Sequence, residues 1–236
     1  MPKKIKLISI LSAPFRETEG FLICCLFVFI AACKNKPEYN KLILTHRDSL
    51  NILSKNKRAF ASIEKAELLI QQGDMILRTG NDFTSESLRQ LSAVDKTYSH
   101  CGIASIENDT VFVYHSLGGE LNPDEKLRRD PLELFCNPGE NRGFGIFTFN
   151  FNTLQKHCLD SVIRSWFKKG LMFDMNFDLA TNDRMYCAEF VSKAVNAATN
   201  KQINFATTTI NKFEFVAVDN LFLNKYCVEK KRIRFQ

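Results

Sequence analysis

An α+β fold built as one domain is what the sequence predicts, and three observations carry that prediction. Residues 99–106 and 110–116 are short runs rich in apolar residues on either side of Asn108-Asp109, the pattern of two antiparallel strands joined by a tight turn. Thr153–Lys169 and Ala188–Ala198 repeat their apolar residues at helical spacing. The 236 residues hold no internal repeat or low-complexity tract, and 45% hydrophobic with 25% charged residues is a globular balance.

Taken in order, the chain opens on a targeting pattern. Lys3, Lys4 and Lys6 precede an uncharged run with an apolar body at Phe21–Ala32. A membrane-spanning helix needs about 20 apolar residues, whereas a signal peptide needs roughly 7–15. The run closes on Ile30-Ala31-Ala32-Cys33, which resembles the lipobox of bacterial lipoproteins. That resemblance implies removal of residues 1–32 as a signal peptide and lipidation of Cys33. A tether over 33–53 and a folded domain over 54–236 would follow, held to a membrane of the bacterial cell envelope by the lipid.

In the remaining chain, Ser54–Gln72 is predicted as a helix with Phe60, Ile63, Leu68, Leu69 and Ile70 mostly on one side, stopped by Gly73. Asp74–Arg78 follows as a strand, Ser85–Leu91 as a short helix, and then the two strands around Asn108-Asp109. Asp130–Phe135 is predicted as a helical turn, with Arg128-Arg129-Asp130 as its solvated start. Gly145–Phe151 is a strand, Thr153–Lys169 and Ala188–Ala198 are helices, and Phe215–Val218 is a final strand. The Lys230-Lys231-Arg232-Ile233-Arg234 cluster is expected to be a solvated end.

The formal charge of +6 is modest, and no Lys/Arg stripe with interleaved aromatics is present, so no nucleic-acid partner is expected. Eight cysteines reduce to five after Cys24, Cys25 and Cys33 are assigned to the signal and anchor. Cys101, Cys136, Cys158, Cys187 and Cys227 are an odd set without C-x-x-C spacing, which is a poor disulfide framework.

Candidate chemistry concentrates at two places. A two-residue turn at Asn108-Asp109 sets Glu107 against Thr110 and Gly102 against His115. His100 then shares a sheet face with His115, diagonally at a Cα separation of roughly 7–8 Å, with Gly102 leaving the space between them empty. Cys187 stands where an amphipathic helix begins, after the potential caps Thr181, Asn182 and Asp183. A helix start favours a thiolate and offers free N–H groups to an oxyanion. A thiol needs a base, and a base needs a group that orients it; Cys187, His100 and His115 fill these three positions.

Gly73-Asp74, Ser99-His100-Cys101-Gly102-Ile103, Phe173-Asp174-Met175-Asn176-Phe177-Asp178 and Tyr186-Cys187-Ala188-Glu189-Phe190 together resemble the YiiX-like family. That family comprises circularly permuted papain-fold hydrolases related to NlpC-type cell-wall peptidases and to lecithin:retinol acyltransferase. The similarity runs motif by motif over roughly residues 70–200. It implies a small antiparallel sheet carrying the histidine, packed against the later cysteine helix. It places Cys187 as nucleophile, His100 as base and His115 at the polar third position, where relatives often carry glutamate. Asp174 and Tyr186 are candidate substrate-binding residues.

The expected activity is hydrolysis of an amide bond in a peptide or peptidoglycan-stem substrate, with no cofactor. Two alternatives stay open: an ester or thioester acyl hydrolase or acyltransferase on lipid, and a non-catalytic binding lipoprotein. An apolar channel at Cys187 would favour the lipid enzyme, and polar groups there the amidase. A metal site from His100, Cys101, His157 and Cys158 is disfavoured, because neighbours on a strand point to opposite faces and zinc-motif spacings are absent.

Overall fold

The computed structural model describes residues 45–119 and 122–235. Cys33, the signal segment and residues 34–44 of the tether lie outside them. Among the described residues, eight strands and six helices alternate: α1 His46–Glu67, β1 Met75–Gly80, α2 Phe83–Arg89, β2 His100–Glu107, β3 Thr110–His115, β4 Arg128–Pro131 and α3 Leu132–Phe135. The chain continues through β5 Asn141–Phe149, α4 Thr153–Lys169, α5 Cys187–Ala198, β6 Thr208–Ile210, β7 Phe213–Phe215, α6 Val218–Phe222 and β8 Cys227–Arg234. Six strands form one antiparallel sheet in the order β4-β3-β2-β1-β5-β8, and β6-β7 is a separate hairpin.

Turn and cap chemistry explains the best-placed elements. Asn108 and Asp109 both take positive φ, 48° and 62°, as a two-residue turn matched to strand twist requires. Glu107 accordingly pairs with Thr110 and Ile103 with Tyr114. Helix α4 has the predicted bounds because its two ends are marked. Asn152 caps the Gln155 N–H while the Gln155 side chain accepts the Asn152 N–H, and Gly170 ends the helix in the left-handed region at φ 72°.

The sheet is buried on both faces. On one, Leu77, Cys101, Ile103 and Tyr114 pack with Leu159 and Ile163 of α4 and with Phe190, Val191 and Ala194 of α5. On the other, Ile76, Ala104, Val113 and Ile146 pack with Ile63 and Ala66 of α1 and with Leu132 and Phe135 of α3. His100 and His115 belong to the second face, where both rings contact Phe135.

Several elements depart from the sequence prediction. Helix α1 begins at His46, so residues 46–53, expected as tether, are helical. It buries Ala59, Ile63 and Ala66 and leaves Phe60 exposed, and Leu68 and Leu69 also face solvent. Arg128–Pro131 is an edge strand on β3, because Phe112–His115 offers it a ladder that a solvated helix start would not use. The basic tail is strand β8, pairing with β5 from Gly143↔Arg234 to Phe149↔Cys227. Its charges find partners: Lys230 meets Asp74 at 2.7 Å, and Arg232 meets Asp95 at 3.0 Å. Thr181–Asp183 do not cap α5; Tyr186 occupies the cap position, with Glu189 accepting its N–H at 3.3 Å.

Candidate active site

Three adjacent strands bring together a chain of hydrogen bonds. His100 opens β2, His115 closes β3 and Asp130 lies on β4. Nε2 of His100 stands 2.8 Å from Nδ1 of His115, and Nε2 of His115 stands 3.0 Å from Oδ2 of Asp130. The same Oδ2 takes a 2.8 Å contact from Arg128 Nη2. Gly102 makes the histidine pair possible, since a Cβ there would sit 2.9 Å from the His115 Cβ and 2.7 Å from the Tyr114 carbonyl oxygen.

The direction of these bonds follows from chemistry. The Asp130 carboxyl is held below its ordinary range; burial opposes ionisation, but His115 and Arg128 stabilise the charge. A carboxylate only accepts, so His115 carries its proton on Nε2 and presents a lone pair at Nδ1. His100 must then donate from Nε2, which leaves its Nδ1 as the unprotonated nitrogen. No protein partner occupies that Nδ1 among the described residues. Burial pushes His115 down to about 4, and pushes His100 well below the ordinary imidazole range, with Arg78, His115 and Arg128 adding repulsion. Both rings are neutral at pH 7.

Cys187 begins α5, and the first bond closing the helix is Phe190 N–H to the Tyr186 carbonyl at 2.9 Å. The thiol is held below its ordinary range chiefly by a hydrogen bond from the Cys101 thiol; burial acts against it, and the Cys101 and Ala188 N–H groups add support. Cys101 itself is pushed well up by burial. Within this pair, Cys187 is the one to ionise. Glu189, two residues on, is pushed up to about 7 by burial, although Lys193 approaches it at 2.8 Å.

The thiol and imidazole approach one another from opposite faces of the sheet. Cys187 packs beside Cys101 on the α4/α5 face, whereas both imidazoles lie on the α1/α3 face. The resemblance implies a histidine-bearing sheet packed on the cysteine helix, and the imidazoles do not lie on the face that meets that helix: strand alternation puts His100 on the other side from Cys101. They meet at the end of β2, where Cys187 and His100 line one cavity of ≈ 60 Å³. Among the described residues, no hydrogen bond joins the two. The cavity walls are apolar, with Leu88, Leu91, Phe173, Phe177, Phe215 and Val218 prominent. His100 also borders a wider cleft of ≈ 700 Å³ carrying Arg78, Arg128, Asp82 and Glu125.

Tyr186 lines the inner cavity, but its hydroxyl accepts the Val216 N–H at 2.7 Å and so fixes the strap over that cavity. Asp174 does not line either cavity. It is buried, and its two oxygens accept the N–H groups of Asn176 at 2.8 Å and Asp178 at 2.6 Å, shaping the loop that presents Phe177. The expected substrate contact by Asp174 is replaced by this structural one. Sequence reading missed Asp130, Arg78 and Cys101. Arg128 and Asp130 are two apart and precede a proline, which was a usable sign of one strand face, but the partner strand is not local.

A protein of mixed α+β class with a thiol at a helix start and a polar relay on adjacent strands is the outcome of this geometry. No family model and no curated protein matches the chain. Solved structures do match, among them one titled as the metalloprotein yiiX from Escherichia coli O157:H7. It superposes with a TM-score of 0.57 at 17% identity, over 70% of this chain and 98% of that one. The fold is YiiX-like. Among the described residues, no group of three His, Cys, Asp or Glu side chains stands together to hold a metal ion. His100, His115 and Asp130 are linked in series rather than aimed at a common point, so they do not fit a metal.

Proposed function

We propose that the protein is a cysteine hydrolase of the circularly permuted papain-like arrangement, cleaving an amide bond in a peptide or peptidoglycan-stem substrate. The observation that carries this reading is that His100, the end of the relay, and Cys187, at a helix start, line one cavity. His100 Nδ1 takes the thiol proton, and the sulfur attacks the substrate carbonyl carbon. The Ala188 N–H, which favours the ionised sulfur, is released to the developing oxyanion once sulfur is bonded to carbon. The proton on Nδ1 passes to the leaving amine, and water, deprotonated by the same nitrogen, then clears the acyl-enzyme. His115 holds the ring, and Asp130 holds His115.

The inner cavity of ≈ 60 Å³ receives a small apolar side chain or the first carbons of an acyl group beside Cys187. Its apolar walls keep a second reading in play, hydrolysis of a short-chain ester or thioester. An assay of the full chain with acetyl-leucyl-aminomethylcoumarin and with 4-nitrophenyl butyrate separates the two. Faster turnover of the amide, abolished in Cys187→Ala, supports the amidase; ester turnover alone supports the second reading; turnover that persists in Cys187→Ala refutes both.

The lipobox resemblance supports a location on a membrane of the bacterial cell envelope, anchored through Cys33. Cys33→Ser should leave the protein unlipidated, and an unmodified native N-terminus by mass spectrometry would remove the anchor from the account.

A further inference from the structure

The wider cleft contains two guanidinium groups: Arg78, which the relay does not use, and Arg128, which gives it one contact at Asp130. Arg78 is half-buried, gives one 3.0 Å hydrogen bond to the Phe135 carbonyl, and lies over the Phe135 ring at 4.9 Å. Among the described residues, no carboxylate makes an ion pair with it, and Glu140 and Asp130 attract it only from a distance. A guanidinium withdrawn from water without a paired anion is costly to keep, unless something else supplies the anion. Arg128 stands beside it with only the shared Asp130 oxygen as partner and with more than a third of its side chain exposed. The acids bordering the same cleft do not neutralise the pair. Both Asp82 oxygens are taken by Ser85, at 2.9 and 2.6 Å, and Glu125 makes no ion pair with either arginine.

Position decides which half of a substrate these groups would meet. The apolar cavity lies on the Cys187 side and so faces the acyl half. Arg78 and Arg128 crowd His100, the group that protonates the leaving amine, and so face the leaving half. We propose that the substrate's leaving amine carries a carboxylate, received by Arg78 and Arg128, while a small apolar side chain on the acyl side fills the inner cavity. The protein would then remove residues from a free peptide C-terminus rather than cut within a chain. An anion seated there also removes much of the positive field that opposes proton uptake on His100, so the correct substrate strengthens its own base. This inference rests on the hydrolase reading for its orientation, but the anion site can be read out by binding alone.

The test uses the full chain with acetyl-leucyl-alanine and acetyl-leucyl-glycyl-alanine, each as the free acid and as the C-terminal amide. The free acids should be favoured in kcat/KM by about tenfold or more, as expected for a charge-assisted bidentate contact. The preference should fall to near one in Arg78→Gln and be partly restored in Arg78→Lys; Arg128→Gln should reduce it independently. Equal turnover of acid and amide overturns the anion site and leaves the hydrolase standing. If neither peptide is cleaved, calorimetry on Cys187→Ala decides. Tighter binding of the acids, erased by Arg78→Gln, keeps the anion site without the hydrolase, and equal binding overturns it. Stronger preference for acetyl-leucyl-phosphoethanolamine than for the carboxylates assigns a phosphate head group instead and overturns the carboxylate assignment.

Discussion

Asp130→Ala removes the one group that sets the direction of the whole relay. In the native protein its Oδ2 accepts from His115 at 3.0 Å and from Arg128 at 2.8 Å. Without it, His115 has no reason to keep its proton on Nε2, and His100 loses its obligation to donate from Nε2. A hydrogen bond to a charged group contributes about 1.5–3 kcal/mol, and a loss of that size in the step that charges His100 corresponds to roughly 10- to 150-fold in rate. The protein should remain folded, because Asp130 lies on an edge strand and is only partly buried. Two measurements check this together. Alkylation of Cys187 by iodoacetamide at pH 7 should slow by about tenfold or more, and nitrogen-15 shifts should move the His100 proton from Nε2 toward a mixture of tautomers. An unchanged alkylation rate with an unchanged tautomer would refute the relay, and Asp130 would be reduced to a partner for Arg128.

Three further outcomes follow from the same geometry. Gly102→Ala drives a Cβ to within 2.6 Å of Val113 Cγ1, 2.7 Å of the Tyr114 oxygen and 2.9 Å of His115 Cβ, so urea unfolding should show a loss of about 1–3 kcal/mol with slowed alkylation. Cys101→Ala takes away the thiol that donates to Cys187, and the midpoint of the pH–alkylation profile should rise toward that of an ordinary thiol. His115 has a folded pKa of about 4 against an ordinary 6.5, so between those values the unfolded chain binds more protons and stability rises with pH. On acidification from pH 7 to 4, wild type should therefore lose about 3 kcal/mol more than His115→Gln. Glu189 acts with the opposite sign up to about 7, and cancels in this comparison because both proteins carry it.

Local chemistry made part of this structure legible in the sequence. The Asn108-Asp109 turn fixed the register of β2 on β3, and with it the His100–His115 pair, because a two-residue loop leaves no freedom to slip. Asn152 and Gly170 marked both ends of α4, and the apolar stripe after Cys187 marked α5. What stayed hidden depends on distant partners. Asp130 belongs to the relay only because β4 adds to β3 across a long connection. The start of α1 was invisible because that helix buries only small residues and Ile63, which give no strong periodic signal. Strand β8 was masked by its own charges; Lys230 and Arg232 read as solvent-facing until Asp74 and Asp95 are brought beside them. The placement of thiol and imidazole on opposite faces follows from adjacent strand positions, His100 and Cys101, once Cys187 is known to pack against Cys101.

The central claim is that Cys187 is the nucleophile and His100 its base. Substoichiometric iodoacetamide followed by peptide mapping of the full chain, run side by side on wild type and His100→Gln, tests it most directly. Wild type should carry the label on Cys187 ahead of Cys101, Cys136, Cys158 and Cys227, and His100→Gln should slow that labelling by about tenfold or more while leaving the other thiols at their original rates. Preferential labelling of another cysteine, or a Cys187 rate indifferent to His100, would contradict the account.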